Sequence, residues 1–139
     1  MGLIIYDKTN TGSLGARSVS INKRTSFLIF SMRAAEDFGW KEGDLLVFAQ
    51  DEDHPKQWFI ASLKGDVRDA FALKKRKEKG LIIQSRGLSQ AIVDSIDTSL
   101  ESIKFLIGVK TILGADGTEF YPLIVTSKKE SYDTPKKRL

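Results

Sequence analysis

Short apolar runs recur along the chain, and turn-forming residues separate them. The clearest stretch covers residues 26–63, where the run 27–30 leads into Ser31, a stretch with helical spacing ends at Gly39, and two further apolar runs follow. Ser31 has the side chain and position of a helix N-cap, and Gly39 suits the left-handed residue that ends a helix. The pattern therefore predicts a strand, a short capped helix and two more strands.

The second half of the chain repeats this order. A strand at 70–75 turns at Gly80 and returns at 81–84, and Ser85 then caps a helix over 86–96 with an apolar stripe. Strands are expected at 103–109 and 119–125. We predict an α+β fold, mainly antiparallel sheet with two short helices and an internal pseudo-repeat of hairpin, helix and hairpin. The alternative is that two such units resemble each other by chance.

These patterns divide the chain into three parts. Residues 1–17 are expected to form an N-terminal strand and a flexible loop, because small and polar residues follow a short apolar run. Residues 18–125 are expected to form one compact domain with similar halves at 18–63 and 70–125. The polar, basic residues 126–139 lack periodicity and predict a disordered tail.

Composition excludes several classes of function. The 139 residues include no cysteine, which removes disulfides, zinc–thiolate sites and thiol nucleophiles and favours a reducing, cytoplasmic location. No apolar run approaches the roughly 18 residues that a membrane-spanning helix needs. The single histidine, His54, follows three acids, and a solvated turn explains this cluster better than a metal site. We expect no enzyme activity, cofactor or metal.

Positive charge is concentrated in a few segments. The net charge is +4, and the strongest cluster is a hairpin at residues 74–79. Lysine and arginine neutralise phosphates, so such a hairpin favours nucleic-acid binding, although a solvated tip that protects a sheet edge is the alternative. We expect the hairpin turn at 23–24 to share a surface with it. The predicted phosphate contacts are Lys23, Arg24, Arg33, Lys74, Lys75, Arg76, Lys77 and Lys79.

Aromatic residues and the basic tail could extend this interface. Phe27 and Phe71 lie close to the two basic turns and are candidates for stacking on bases, although aromatic residues in alternating strands usually belong to the core. The tail could add phosphate contacts or serve only as a solubilising end. Its basic residues are Lys128, Lys129, Lys136, Lys137 and Arg138.

The residues 18–50 resemble the AbrB-type swapped-hairpin DNA-binding domain. That family has a strand, a basic turn, a strand, a short helix ending in an apolar-Gly-apolar element and a Gly-Asp turn. Phe38-Gly39-Trp40 and Gly43-Asp44 match its end. The resemblance implies DNA binding and transcription regulation. The family's basic positions late in the helix hold Ala35 and Glu36 here.

A second resemblance uses a different frame. Four strands between 45 and 84, followed by the helix at 86–96, are similar to the single-stranded nucleic-acid binders of the Pur-alpha, Whirly and positive-cofactor type. Both resemblances imply a partner that is DNA or single-stranded nucleic acid. A protein-interaction or structural accessory module is the alternative function, and whether the chain forms a homodimer stays open.

Overall fold

The computed structural model describes residue 2 and residues 16–63, 69–75 and 80–130. These residues form an antiparallel sheet with two helices, which confirms the α+β class. In chain order the elements are β1 (Ser18–Asn22), β2 (Phe27–Phe30), α1 (Met32–Phe38), β3 (Leu45–Gln50), β4 (Trp58–Leu63), β5 (Phe71–Ala72), β6 (Lys74–Lys75), β7 (Leu81–Gln84), α2 (Arg86–Ile96), β8 (Leu100–Ile107), β9 (Ile112–Leu113) and β10 (Glu119–Glu130).

The sheet is nearly closed. Its strand order is β5-β3-β4-β10-β8-β1-β2-β7-β6, with β9 added beside β10. The first and last strands of this order, β5 and β6, are separated in sequence only by Leu73, so the two ends of the sheet must meet. The backbone of Leu73 bonds to Gly43 and Asp44 at this junction, with N–O distances of 2.8 Å. Closure leaves few free strand edges, which limits edge-to-edge aggregation.

Alternation along the strands separates the inside of this sheet from the outside. In β1, Val19 and Ile21 are fully buried while Ser20 between them is exposed. In β8, Ile103, Phe105 and Ile107 are buried and the residues between them face outward. The apolar positions of all the long strands thus share one core, with α2 packed on β1, β2 and β8.

Both helices begin at the predicted serine caps. The Ser31 hydroxyl accepts a hydrogen bond from the Ala34 N–H, and the Ser85 hydroxyl accepts one from Leu88 N–H. Gly39 ends α1 with a φ of +68°, as the left-handed terminator requires. Residues 86–96 form α2 within the predicted bounds.

The structure differs from the sequence prediction at several strands. β8 spans Leu100–Ile107 where the sequence predicts a strand at 103–109, and the sequence predicts no strand at β9. The strand expected at 70–75 is interrupted at Leu73, so that β5 pairs with β3 and β6 pairs with β7. The last strand runs to Glu130, past residue 125, where the tail was expected to begin. Residues 127–130 lack an apolar pattern, but β8 supplies the backbone partners that hold them in the sheet. Residues 131–139 and most of 1–17 lie outside the described residues.

Candidate nucleic-acid interface

The first basic turn and the described base of the second basic hairpin lie at opposite ends of β2 and β7. β2 pairs antiparallel with β7, so that Phe27 lies opposite Gln84 and Phe30 lies opposite Leu81. The turn at 23–26 adjoins the Phe27 end, whereas the turn between β6 and β7 adjoins the Leu81 end. Residues 76–79 lie outside the described residues, so the prediction that the two turns share one surface stays a prediction.

Contacts within the fold engage the cations of the first turn. Lys23 Nζ lies 2.7 Å from Asp94 Oδ1 and 2.8 Å from the carbonyl oxygen of Thr98, tying the turn to the end of α2. Arg24 reaches Glu101 at 3.5 Å but keeps 72% of its side chain exposed. The geometry gives Lys23 a structural role and leaves Arg24 only partly available to a ligand.

Arg33 is paired within α1. Its Nε lies 2.9 Å from Asp37 Oδ2, and Arg17 approaches the same oxygen at 3.0 Å. Hydrogen bonds from Arg33 and then Arg17 lower the pKa of Asp37 below its usual value. This local ion pair compensates much of the charge that Arg33 could offer to a phosphate.

The second hairpin is described only at its base. Lys74 and Lys75 are exposed and pair with Ile82 and Leu81 of β7. The side chain of Glu42 accepts a hydrogen bond from the Lys75 N–H. The other predicted contacts of this hairpin, Arg76, Lys77 and Lys79, lie outside the described residues.

The sheet brings together a different set of polar side chains on its outer face. Residues directly opposite each other in an antiparallel pair point to the same face. One row crosses six strands and consists of Lys74, Ile82, Ile29, Ser20, Lys104 and Ser127. A second row crosses five strands and consists of Gln84, Phe27, Asn22, Ser102 and Lys129.

An open groove of about 530 Å³ lies across these rows on β2, β1, β8 and β10. It contains lysines, small polar residues and one aromatic ring, and no acidic residue is among its described lining side chains. Neighbouring strands are about 4.8 Å apart, so the groove is about three strand spacings wide. Its lining residues are Ser20, Ile21, Asn22, Thr25, Phe27, Ile29, Ser102, Ile103, Lys104, Ser127, Lys128 and Lys129.

The three lysines of the groove differ in their surroundings. Lys104 is exposed and forms no ion pair with any residue in the described ranges. Lys129 lies 3.6 Å from Glu101 Oε2 and keeps 53% of its side chain exposed. Lys128 lies opposite the buried Ile103, so its side chain points to the other face of the sheet, where it contributes to the lowered pKa of Asp97 after the hydrogen bonds from Ser99. Lys104 is therefore the cation of the groove best placed to meet an anion.

The two stacking candidates have different environments. Phe27 is half-buried in β2 and lines the groove. Phe71 packs edge to face with Phe48 at 6.1 Å and borders the core, on the other side of the Leu73 junction. The geometry leaves Phe27 as a stacking candidate and assigns Phe71 to packing.

Sequence reasoning missed Lys104, although a signal for it was present. In β8 the polar Ser102 and Lys104 alternate with buried apolar residues, which indicates that both face outward. The sequence did not reveal that β1 lies between β8 and β2. Without this strand order, Lys104 could not be placed on the same outer face as Phe27.

His54 is 77% exposed, with Nδ1 3.4 Å from Asp51 Oδ2, and no group of three or more His, Asp or Glu side chains in the described ranges could hold a metal ion. None of the helices described is both long and apolar enough to cross a membrane.

Comparison with known proteins adds no assignment. No family model matches the chain, and no curated protein or solved structure matches it at a significant level. The resemblances to the AbrB-type domain and to the single-strand binders stay predictions.

Proposed function

We propose that this protein is a non-enzymatic nucleic-acid-binding protein with a regulator-like role in transcription. The observation that carries the proposal is the groove on the outer sheet face, whose described lining combines Lys104 and Lys129 with Phe27 and no carboxylate. Lysine side chains neutralise phosphates and release counterions, and this supplies most of the affinity of sequence-independent binding. We propose that nucleic acid binds on this face of the sheet.

The size of the electrostatic contribution can be checked directly. Two phosphate contacts, from Lys104 and Lys129, predict that the logarithm of the binding constant falls with the logarithm of salt concentration with a slope of about −1.4 for a single strand and about −1.8 for a duplex. The experiment is a fluorescence-anisotropy titration of the full chain with labelled single- and double-stranded oligonucleotides at several salt concentrations.

A matched pair of variants locates the binding face. Lys104→Ala should weaken binding and reduce the steepness of the salt dependence by about 0.7–0.9, which is the contribution of one phosphate. Lys41→Ala removes the same charge from an exposed position outside the groove and should leave the slope unchanged. Equal effects of the two substitutions would contradict the proposed interface, and no binding by the intact protein at low salt would end the proposal.

We also infer that the two halves of the chain are a structural repeat. The strand pairings support this, because β2 pairs with β7 and β4 pairs with β10, and these strands hold corresponding places in the two halves. The remaining contacts between halves also correspond, since β8 pairs with β1 and β3 pairs with β5. This arrangement is compatible with the fused equivalent of a swapped-hairpin dimer.

The alternative function as a protein-interaction module is favoured by one observation. Among the described residues, four large apolar side chains are at least half exposed, at 60% for Val109, 51% for Ile112, 70% for Leu113 and 50% for Ile124. Exposed apolar clusters often mark protein contacts. Analytical ultracentrifugation of the wild type and of Leu113→Ser tests this function: a concentration-dependent assembly that the substitution abolishes would support it, and a monomer at all concentrations would argue against self-association.

A further inference from the structure

The groove is asymmetric across its width. Its apolar side is formed by Phe27 and Ile29 of β2, whereas its lysines come from β8 and β10 on the opposite side. β1 lies between the two sides and contributes Ser20 and Asn22. A ligand that fills this groove therefore meets an aromatic and aliphatic surface along one side and positive charge along the other.

A single nucleic-acid strand has the matching asymmetry. Its bases project to one side of the backbone and expose their faces when they are unstacked, so they can pack on an aromatic ring. In a duplex the base faces are covered by neighbouring bases, and phosphates lie on both sides of each groove. A duplex could reach the lysines, but its base faces could not reach Phe27.

The polar residues between the two sides suit this ligand as well. Ser20 and Ser102 are small and present hydroxyl groups, which can act as hydrogen-bond donors or acceptors. The Asn22 side-chain oxygen already accepts bonds from the backbone N–H groups of Arg24 and Thr25, which fixes the side chain and leaves its amide NH₂ as a donor. Such groups can satisfy the edges of unpaired bases.

We propose that the groove selects single-stranded nucleic acid, with a base packed on Phe27 and the phosphates running along Lys104 and Lys129. This inference rests on the proposed nucleic-acid function and specifies its ligand. The stacking contact favours single strands, whereas the lysines attract both forms. Selectivity should therefore depend on the ring of Phe27, while the salt dependence depends on the lysines.

The test compares labelled dT12, rU12 and a 12-base-pair duplex with the full chain at low salt. The wild type should bind at least one single strand about tenfold or more tighter than the duplex. Phe27→Leu keeps an apolar side chain but removes the ring, and single-strand affinity should fall about fivefold to a hundredfold with little change for the duplex. Phe120→Leu, a half-buried ring outside the groove, is the control and should change neither affinity.

A third variant reports on stacking itself. Phe27→Trp places a fluorescent ring in the groove, while the native Trp40 and Trp58 are only 7% and 6% exposed and contribute a nearly constant background. Adding dT12 or rU12 should quench the emission of Phe27→Trp far more than that of the wild type. The duplex should produce little quenching.

The outcomes separate the two proposals. Equal affinity for single strands and duplex, with no effect of Phe27→Leu, overturns the single-strand inference and leaves nucleic-acid binding intact. Binding of neither form by the intact protein overturns both. Circular dichroism of Phe27→Leu at the assay temperature verifies that a lost affinity is not caused by unfolding.

Discussion

Gly80 offers the sharpest test of how the basic hairpin is attached to the sheet. It stands immediately before β7 with a φ of +75°, a conformation that side chains other than glycine rarely adopt. A Cβ atom at this position would lie 2.5 Å from the carbonyl oxygen of Phe30, closer than real Cβ contacts come. Gly80→Ala therefore combines backbone strain with a collision against the main chain of β2.

The two contributions can be separated by a control. The left-handed conformation costs an alanine about 1–2 kcal/mol, and the forced displacement of a packed group adds about 1–3 kcal/mol. Gly117 has a φ of +84° but no atom within 4 Å of the Cβ position, so Gly117→Ala carries only the first contribution. The smaller conformational entropy of an unfolded alanine chain offsets both variants equally, by about 0.4–1 kcal/mol. Gly80→Ala should thus be about 1–3 kcal/mol less stable than Gly117→Ala.

Urea unfolding monitored by circular dichroism measures this difference. Both variants should retain the wild-type m value, so that the shift of the midpoint reports stability alone. A difference below about 0.5 kcal/mol between the two variants would refute the reasoning, because it would mean that the carbonyl of Phe30 moves away without resistance. The strand register between β2 and β7 near this position would then be in question.

Three further predictions follow from contacts within the fold. The Ser31 hydroxyl caps α1 and also bonds Ala16 and Ser18 at the start of β1, whereas the Ser85 hydroxyl only caps its helix. Ser31→Ala should therefore lower stability by about 2 kcal/mol in urea unfolding and Ser85→Ala by about 1 kcal/mol. Equal losses would contradict this. Asp37→Asn should destabilise the protein at neutral pH, because the arginines stabilise only the ionised carboxylate. The stability difference from the wild type should vanish as the pH falls below 3.8 through the lowered pKa of Asp37 in the folded state. If this is wrong, unfolding curves from pH 7 to pH 2 would show a constant difference. Lys23→Met should lower the free energy of unfolding by about 1–2 kcal/mol, because it removes the contact with Asp94. Oligonucleotide affinity in anisotropy titrations should stay unchanged. A large loss of affinity would mean that Lys23 belongs to the interface.

Signals carried by neighbouring residues could be read from the sequence. Ser31 and Ser85 begin the two helices, and Gly39 ends the first, because capping depends on hydrogen bonds to residues three or four positions away. Alternation identified most strands, because burial of every second residue is a property of the strand itself. The limits of this kind of signal appear at residues 127–130, where the strand continues without an apolar pattern because β8 supplies its partners.

The candidate interface depended on information that the sequence does not contain. The sequence identified Phe27 as a stacking candidate and located the clusters of basic residues. Only the strand order showed that β1 lies between β2 and β8, which places Phe27 and Lys104 on the same outer face of the sheet, two strands apart. Strand order joins residues that are far apart in the chain, and several orders satisfy the same local pattern. The amino-acid sequence thus determined which elements form and which of their sides are polar, whereas tertiary packing decided which polar sides share a surface.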